Sequence, residues 1–107
     1  MRKIERPRIL HGETHRIRAQ TGNLYVIVNS HENKVFEVIL STQKSGFDGN
    51  ATAESLGRMI SLNLRSGVSL QDIIDQLKNI QDSEIPGEDE LSITESVVEI
   101  LETYLTN

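Results

Sequence analysis

Residues 23–41 read NLYVIVNSHENKVFEVILS, two apolar runs joined by three polar residues. Each run is rich in β-branched and aromatic residues, and the connection HEN has the length of a tight hairpin. The preceding run ETHRIRAQ (13–20) is separated from them by Thr21 and Gly22, which also fits a hairpin turn. These three runs predict an antiparallel β-meander with strands at 13–20, 23–30 and 34–41.

The remaining chain has helical periodicity. Apolar residues recur at helical spacing from about residue 51 and stop before Gly67, a residue that commonly ends helices. Ser69 and Ser92 each stand three residues before an acidic residue, as N-caps do. We therefore predict helices at 51–66, 70–80 and 93–105. A meander followed by three helices predicts an α+β fold, with the helices packed on one face of the sheet.

Length and composition limit the possible functions. The 107 residues suit one domain (1–107), with a basic N-terminal segment (1–12) and an acidic loop (82–91). The chain has no cysteine, which excludes disulfides, thiolate nucleophiles and sulfur-ligated metal centres. No apolar run approaches the roughly 20 residues that span a bilayer, and the start MRKIERPRIL lacks the apolar stretch of a signal peptide. We therefore expect a cytoplasmic protein with no membrane partner.

Charge is segregated along the chain. Residues 1–18 carry a balance of +4, residues 19–70 a balance of 0 and residues 71–107 a balance of −9, which sum to −5. This pattern predicts that the basic N-terminal segment lies near the acidic C-terminal helices, within one chain or across a subunit interface, or else that it faces an anionic ligand. The net acidic charge argues against nucleic acid as a partner.

The sequence offers little to metal binding or catalysis. His11 and His15 are four residues apart, which on a strand separates them by roughly 13 Å, beyond the reach of one metal ion. No carboxylate or histidine is singled out as a general acid or base. We therefore expect no metal and no cofactor, and a binding protein rather than an enzyme.

One loop has the components of an anion site. Lys44, Ser45 and Gly46 follow the third predicted strand and precede a helix N-terminus, which together supply a cation, a hydroxyl and backbone amides. The loop is not a Walker A motif, because the lysine precedes the glycine. Both a phosphate site and a merely capped loop are compatible with these residues.

Further cations could complete such a site. Arg58 on the predicted helix and Arg16 or Arg18 on the first predicted strand are candidates. The alternative for Arg58 is an ion pair with Glu54, four residues earlier on the same helix face.

The run RPRILHGETHRIRAQTGNLYVIVNSHENKVFEVIL, followed by KSG, ESLGRMISLNLRSGV and DIIDQLKNI, resembles the TSCPD-type domain. This domain occurs at the C-terminus of adenosylcobalamin-dependent ribonucleotide reductases and as small free-standing proteins. The resemblance covers about residues 6–80. Cysteines usual in that family are missing, since the corresponding regions read Thr21, Asp82–Ser83 and LSITE (91–95). Any metal or redox chemistry of those cysteines is therefore absent here.

The resemblance implies nucleotide chemistry, but the chain is too short to hold a reductase barrel. We expect non-catalytic binding of a small phosphorylated or cyclic nucleotide, as in a regulator or a sequestering protein of phage type. The alternatives are an accessory module that docks on a ribonucleotide reductase and a purely structural assembly domain. Neighbouring apolar residues, Leu62 with Leu64 and Val97 with Val98, further predict a homodimer or larger ring.

Overall fold

The computed structural model describes residues 3–19, 22–42, 48–80 and 92–105. Three antiparallel strands form a sheet in chain order, and three helices follow: β1 (His11–Ala19), β2 (Gly22–His31), β3 (Lys34–Thr42), α1 (Asp48–Arg65), α2 (Leu70–Leu77) and α3 (Ile93–Glu102). The predicted α+β fold, with a meander followed by three helices, is confirmed. The HEN connection forms a tight turn in which Glu32 and Asn33 both have positive φ, as in a type I′ hairpin.

The two faces of the sheet differ in their cover. Leu24, Val26 and Val28 of β2 are fully buried against the helices, and we call this side the helix face. The other side, which we call the open face, carries the alternate residues of each strand. These residues, identified from the strand register, are Gly12, Thr14, Arg16 and Arg18 of β1, Asn23, Tyr25, Ile27 and Asn29 of β2, and Glu37, Ile39 and Ser41 of β3.

Helix α1 lies against the outer edge of β3. The Ser61 hydroxyl accepts a hydrogen bond from the Val38 amide and donates one to the Val38 carbonyl, each at 2.9 Å. A Cβ atom at Gly57 would lie 3.1 Å from the Leu40 nitrogen and 3.2 Å from the Val38 oxygen, so only glycine allows this approach without displacement. Small residues on one side of α1 therefore let the helix cover the edge of the sheet.

The predicted caps are present, whereas the last two helices end earlier than predicted. Ser69 caps α2 by accepting from the Asp72 amide, and Ser92 forms a complete capping box with Glu95. Gly67 ends the turn after α1 with a φ of 94°. Helix α2 ends before Asn79, whose φ of 65° is not helical, and α3 ends at Glu102.

The C-terminal helix completes the core. Val97 is fully buried and Val98 is 7% exposed, so neither offers an apolar surface to a second subunit, and that part of the argument for an oligomer is wrong. Leu62 on α1 is 44% exposed, so its side chain is available for contact with a second subunit. The Lys78 ammonium lies 3.3 Å from the Glu102 carboxylate and links α2 to α3.

Candidate functional site

The open face brings Arg16 next to Tyr25. The two residues are register partners on adjacent antiparallel strands, and Arg18 is likewise the partner of Asn23. Arg16 and Arg18 are exposed, whereas Tyr25 and Asn23 are half-buried. Side chains of register partners lie on the same face within contact distance. A guanidinium can bind phosphate in a bidentate manner, and an aromatic ring can stack on a base.

A groove runs between the open side of β3 and α1. It has a volume of about 430 Å³, and its lining includes Ile39 of the sheet and Leu62, Arg58 and Arg65 of the helix. The Arg58 guanidinium lies 2.8 Å from the Glu54 carboxylate. This is the helical ion pair that the sequence offered as the alternative to an anion-binding role for Arg58. Both side chains of this pair are more than half exposed, so another anion can readily replace the Glu54 carboxylate as the partner of Arg58.

The candidate arginines lie at opposite edges of the open face. Arg16 and Arg18 belong to β1, and Arg58 to the helix that borders β3. Adjacent strands are about 4.8 Å apart, so β1 and β3 are separated by about 10 Å. The predicted loop residues Lys44, Ser45 and Gly46 lie outside the described residues, and their role stays a prediction.

An N-terminal strap (residues 3–10) crosses one end of the open face. Ile4 and Arg65 are joined by two hydrogen bonds, one from the Ile4 amide to the Arg65 carbonyl and one from the Arg65 guanidinium to the Ile4 carbonyl. The Arg6 guanidinium donates two hydrogen bonds of 2.9 Å to the Glu37 carboxylate. The described contacts of the strap's backbone and charged groups are thus with α1 and β3, and not with the acidic residues of α2 and α3.

Glu37 is the buried centre of this contact. Glu37 is 6% exposed, and Asn29 donates a further hydrogen bond of 2.7 Å to its carboxylate. The hydrogen bonds from Arg6 hold the pKa of Glu37 below its usual value, although burial acts in the opposite direction. Sequence reasoning missed this pair, because nothing in the pattern links two residues that are 31 positions apart.

On the helix face, Tyr104 joins the C-terminal end of the chain to β1. Its hydroxyl lies 2.7 Å from Nε2 of His15 and donates a 2.5 Å hydrogen bond to Glu13. Burial and the Glu13 carboxylate raise the pKa of Tyr104 to about 12. His15 is thus occupied by a tyrosine, and the described residues hold no group of three or more histidine, aspartate or glutamate side chains placed to bind a metal.

These features define a small α+β protein whose sheet has one helix-covered face and one open face with arginines at both borders. The family model of the TSCPD domain matches residues 2–105 of the chain. The chain therefore belongs to the TSCPD domain family. No curated protein and no solved structure matched it. Within the described residues, no helix is both long and apolar enough to cross a membrane.

Proposed function

We propose that this protein binds a small phosphorylated nucleotide, linear or cyclic, on the open face of its sheet and releases it unchanged. The observation that carries the proposal is the register pairing of Arg16 with Tyr25, which puts an arginine and a tyrosine side by side on the open face. A phosphate can bind to the guanidinium while the attached base stacks on the ring.

The surroundings of this pair suit such a ligand. Ile27 and Ile39 are register partners beside Tyr25 and provide an apolar floor for a base or ribose. Ile39 is 43% exposed, which is unusual for a large apolar residue in the middle of a strand and leaves contact area for a ligand. Arg58, beyond β3, is placed to bind a second phosphate if its pair with Glu54 opens.

The finer role that we propose is sequestration of a signalling nucleotide, as by a phage protein that counters host defence. The support for this role is chemical. The sequence singles out no carboxylate or histidine as a general acid or base, and the cations of the open face suit binding. A protein that only binds its ligand acts by lowering the free concentration of that ligand.

Calorimetry with a panel of nucleotides and cyclic nucleotides tests this proposal. A ligand at about 100 times its Kd should raise the free energy of unfolding by roughly 2.7 kcal/mol. A thermal-shift screen can therefore identify which nucleotides bind, and calorimetry then measures their affinities. Arg16→Ala should then weaken binding about ten- to a hundredfold, since it removes a charge-assisted contact worth roughly 1.5–3 kcal/mol. Tyr25→Leu should weaken it by about five- to a hundredfold through lost stacking.

Lys34→Ala is the matched control, because it removes one exposed positive charge elsewhere on the sheet. Lys34 precedes Ser41, the register partner of Tyr25, by seven residues, a distance of roughly 23 Å along β3. Equal loss of affinity in Lys34→Ala and Arg16→Ala would mean a non-specific charge effect and would contradict the site. If the folded protein binds no nucleotide, the role as an accessory module of a ribonucleotide reductase is favoured instead.

A further inference from the structure

The two edges of the sheet differ in whether another element covers them. The edge of β3 is covered by α1, and Ser61 bonds both backbone groups of Val38. Strand β1 forms the other edge, and among the described residues no element except β2 forms a backbone hydrogen bond with Gly12, Thr14 or Arg16. An edge strand with such outward-facing backbone groups offers a template for a further strand.

The direction of the backbone groups of β1 follows from the contact at the other edge. Because Val38 directs its amide and carbonyl to α1, its partner Val28 directs the corresponding groups towards β1, where its partner is Glu13. Backbone groups alternate in direction along a strand. Gly12, Thr14 and Arg16 therefore direct their amides and carbonyls away from β2, and all three residues are exposed.

We propose that β1 pairs antiparallel with β1 of a second copy of this chain, with the two-fold axis at Thr14. In this register, Thr14 lies opposite Thr14 of the other copy, and Gly12 lies opposite Arg16. The three outward-facing residues of each copy then form about six backbone hydrogen bonds between the copies. The product is a dimer with a continuous six-stranded sheet, in which each open face extends the other.

The side chains that are brought opposite each other select this register and make a second copy of the chain the fitting partner. With the axis at Thr14, Glu13 of each copy lies opposite His15 of the other, in the closely spaced non-hydrogen-bonded position. The Glu13 side chain is 71% exposed, so its carboxylate can keep the hydrogen bond from Tyr104 through Oε1 and offer Oε2 to the other copy. With the axis at His15, two histidine rings would face each other and Glu13 would face Ile17. With the axis at Arg16, two guanidinium groups would be opposed.

Cysteine cross-linking tests the register directly, since the parent chain has no cysteine. Residues opposite each other in a hydrogen-bonded pair have Cα atoms about 5.5 Å apart, within reach of a disulfide. Thr14→Cys should therefore form a disulfide-linked dimer under mild oxidation. Thr52→Cys, an exposed threonine of α1, is the control and should remain monomeric on a non-reducing gel.

His15→Cys distinguishes the registers, because in the proposed pairing the two copies of residue 15 are roughly 8 Å apart and cannot be bridged. Cross-linking by His15→Cys in preference to Thr14→Cys would overturn the proposed register. Cross-linking by Thr52→Cys to the same extent would mean random collision and would overturn the interface as well.

Proline provides a second test that spares the fold. Thr14→Pro removes an amide that faces away from β2, so the sheet within each copy keeps its hydrogen bonds. We expect light scattering to give a dimer for the parent and for Thr14→Val, and a dissociation constant raised at least about tenfold for Thr14→Pro. A parent that is monomeric at high micromolar concentration, or a folded Thr14→Pro variant that dimerises as tightly as the parent, would overturn the proposal.

Discussion

The hydroxyl of Ser61 bonds both the amide and the carbonyl of Val38, so one side chain satisfies two outward-facing groups of an edge strand. A backbone group buried without a partner costs free energy comparable to a lost hydrogen bond. A helix laid on a strand edge creates this problem, because it displaces water from the edge. Ser61 satisfies the two backbone groups of Val38 at the covered edge. Gly57, one turn earlier, allows the helix to approach the strand closely enough for the serine to reach them.

Replacing Ser61 by alanine should therefore destabilise the protein, although alanine is the better helix former. We expect Ser61→Ala to lower the free energy of unfolding by about 1–3 kcal/mol, because the Val38 groups lose their partner. Ser55→Ala on the exposed side of the same helix is the matched control and should change stability by less than about 0.5 kcal/mol. Urea denaturation measures both, and equal values for the two variants would contradict the role of Ser61.

The approach at Gly57 predicts a size limit. We expect Gly57→Val to cost about 1–3 kcal/mol, because its side chain has to displace the backbone of β3 or move the helix away. Ser55→Val carries the same β-branched side chain on the exposed side of α1 and controls for helix propensity. The difference between the two variants in thermal denaturation isolates the packing effect. A Gly57→Val variant as stable as Ser55→Val would show that the helix and strand have room to spare.

Much of the fold could be predicted from the sequence because its signals are local. The alternating runs set the strands, and Ser69, Ser92 and Gly67 set helix ends within a few residues. Tertiary placement was not predictable in the same way. The neighbouring valines Val97 and Val98 predicted an apolar surface for a second subunit, but the packed structure shows that both lie in the core.

The candidate site was predictable in part. Arg16 and Arg18 were named from the sequence as candidate cations of an anion site, and strand alternation places them on one face. Their neighbour Tyr25 was missed, because it comes into contact through cross-strand register, which depends on the turn between the strands. The pairing of Arg6 with Glu37 was likewise hidden, since a contact between distant residues leaves no periodic signal in one sequence.

The Arg6–Glu37 pair predicts a specific pH dependence of stability. The pKa of Glu37 is lower in the folded chain than its usual value, so its contribution is present above pH 4.5 and is lost as the pH falls through the folded pKa. Arg6→Ala should thus lower Tm at pH 7, and this deficit should shrink as the pH falls below about 4. Thermal denaturation between pH 7 and 3 measures the convergence.

Arg8→Ala is the control for this experiment, because Arg8 is an exposed arginine on the same strap. It should lower Tm less than Arg6→Ala at pH 7 and should show no convergence at low pH. A deficit of Arg6→Ala that stays constant down to pH 3 would mean that Arg6 stabilises the strap through packing and not through Glu37.

Tyr104 predicts a second pH effect, at the alkaline end. Its pKa is raised to about 12 from the ordinary 10, so the neutral hydroxyl contributes stability that is complete below pH 10 and is lost as the pH rises towards 12. The chain has two tyrosines, so Tyr25→Phe leaves Tyr104 as the sole tyrosine chromophore. Its phenolate absorbance should appear with a midpoint of about 12, and a midpoint near 10 in the folded protein would contradict the Glu13 contact.

Binding experiments with Arg58 can define how far the nucleotide extends across the open face. The Glu54 carboxylate competes with a ligand phosphate for the Arg58 guanidinium, and an exposed helical pair of this kind is worth only about 0.3–0.5 kcal/mol. If Arg58 binds a phosphate, Arg58→Ala should weaken nucleotide binding about tenfold or more, whereas Glu54→Gln should strengthen it about twofold. Lys44→Ala should weaken it as well if the loop before α1 contributes. Raised salt should reduce these differences, because exposed charges are screened. Calorimetry on the three variants measures them, and unchanged affinity in Arg58→Ala and Glu54→Gln would confine the ligand to the Arg16 edge of the sheet.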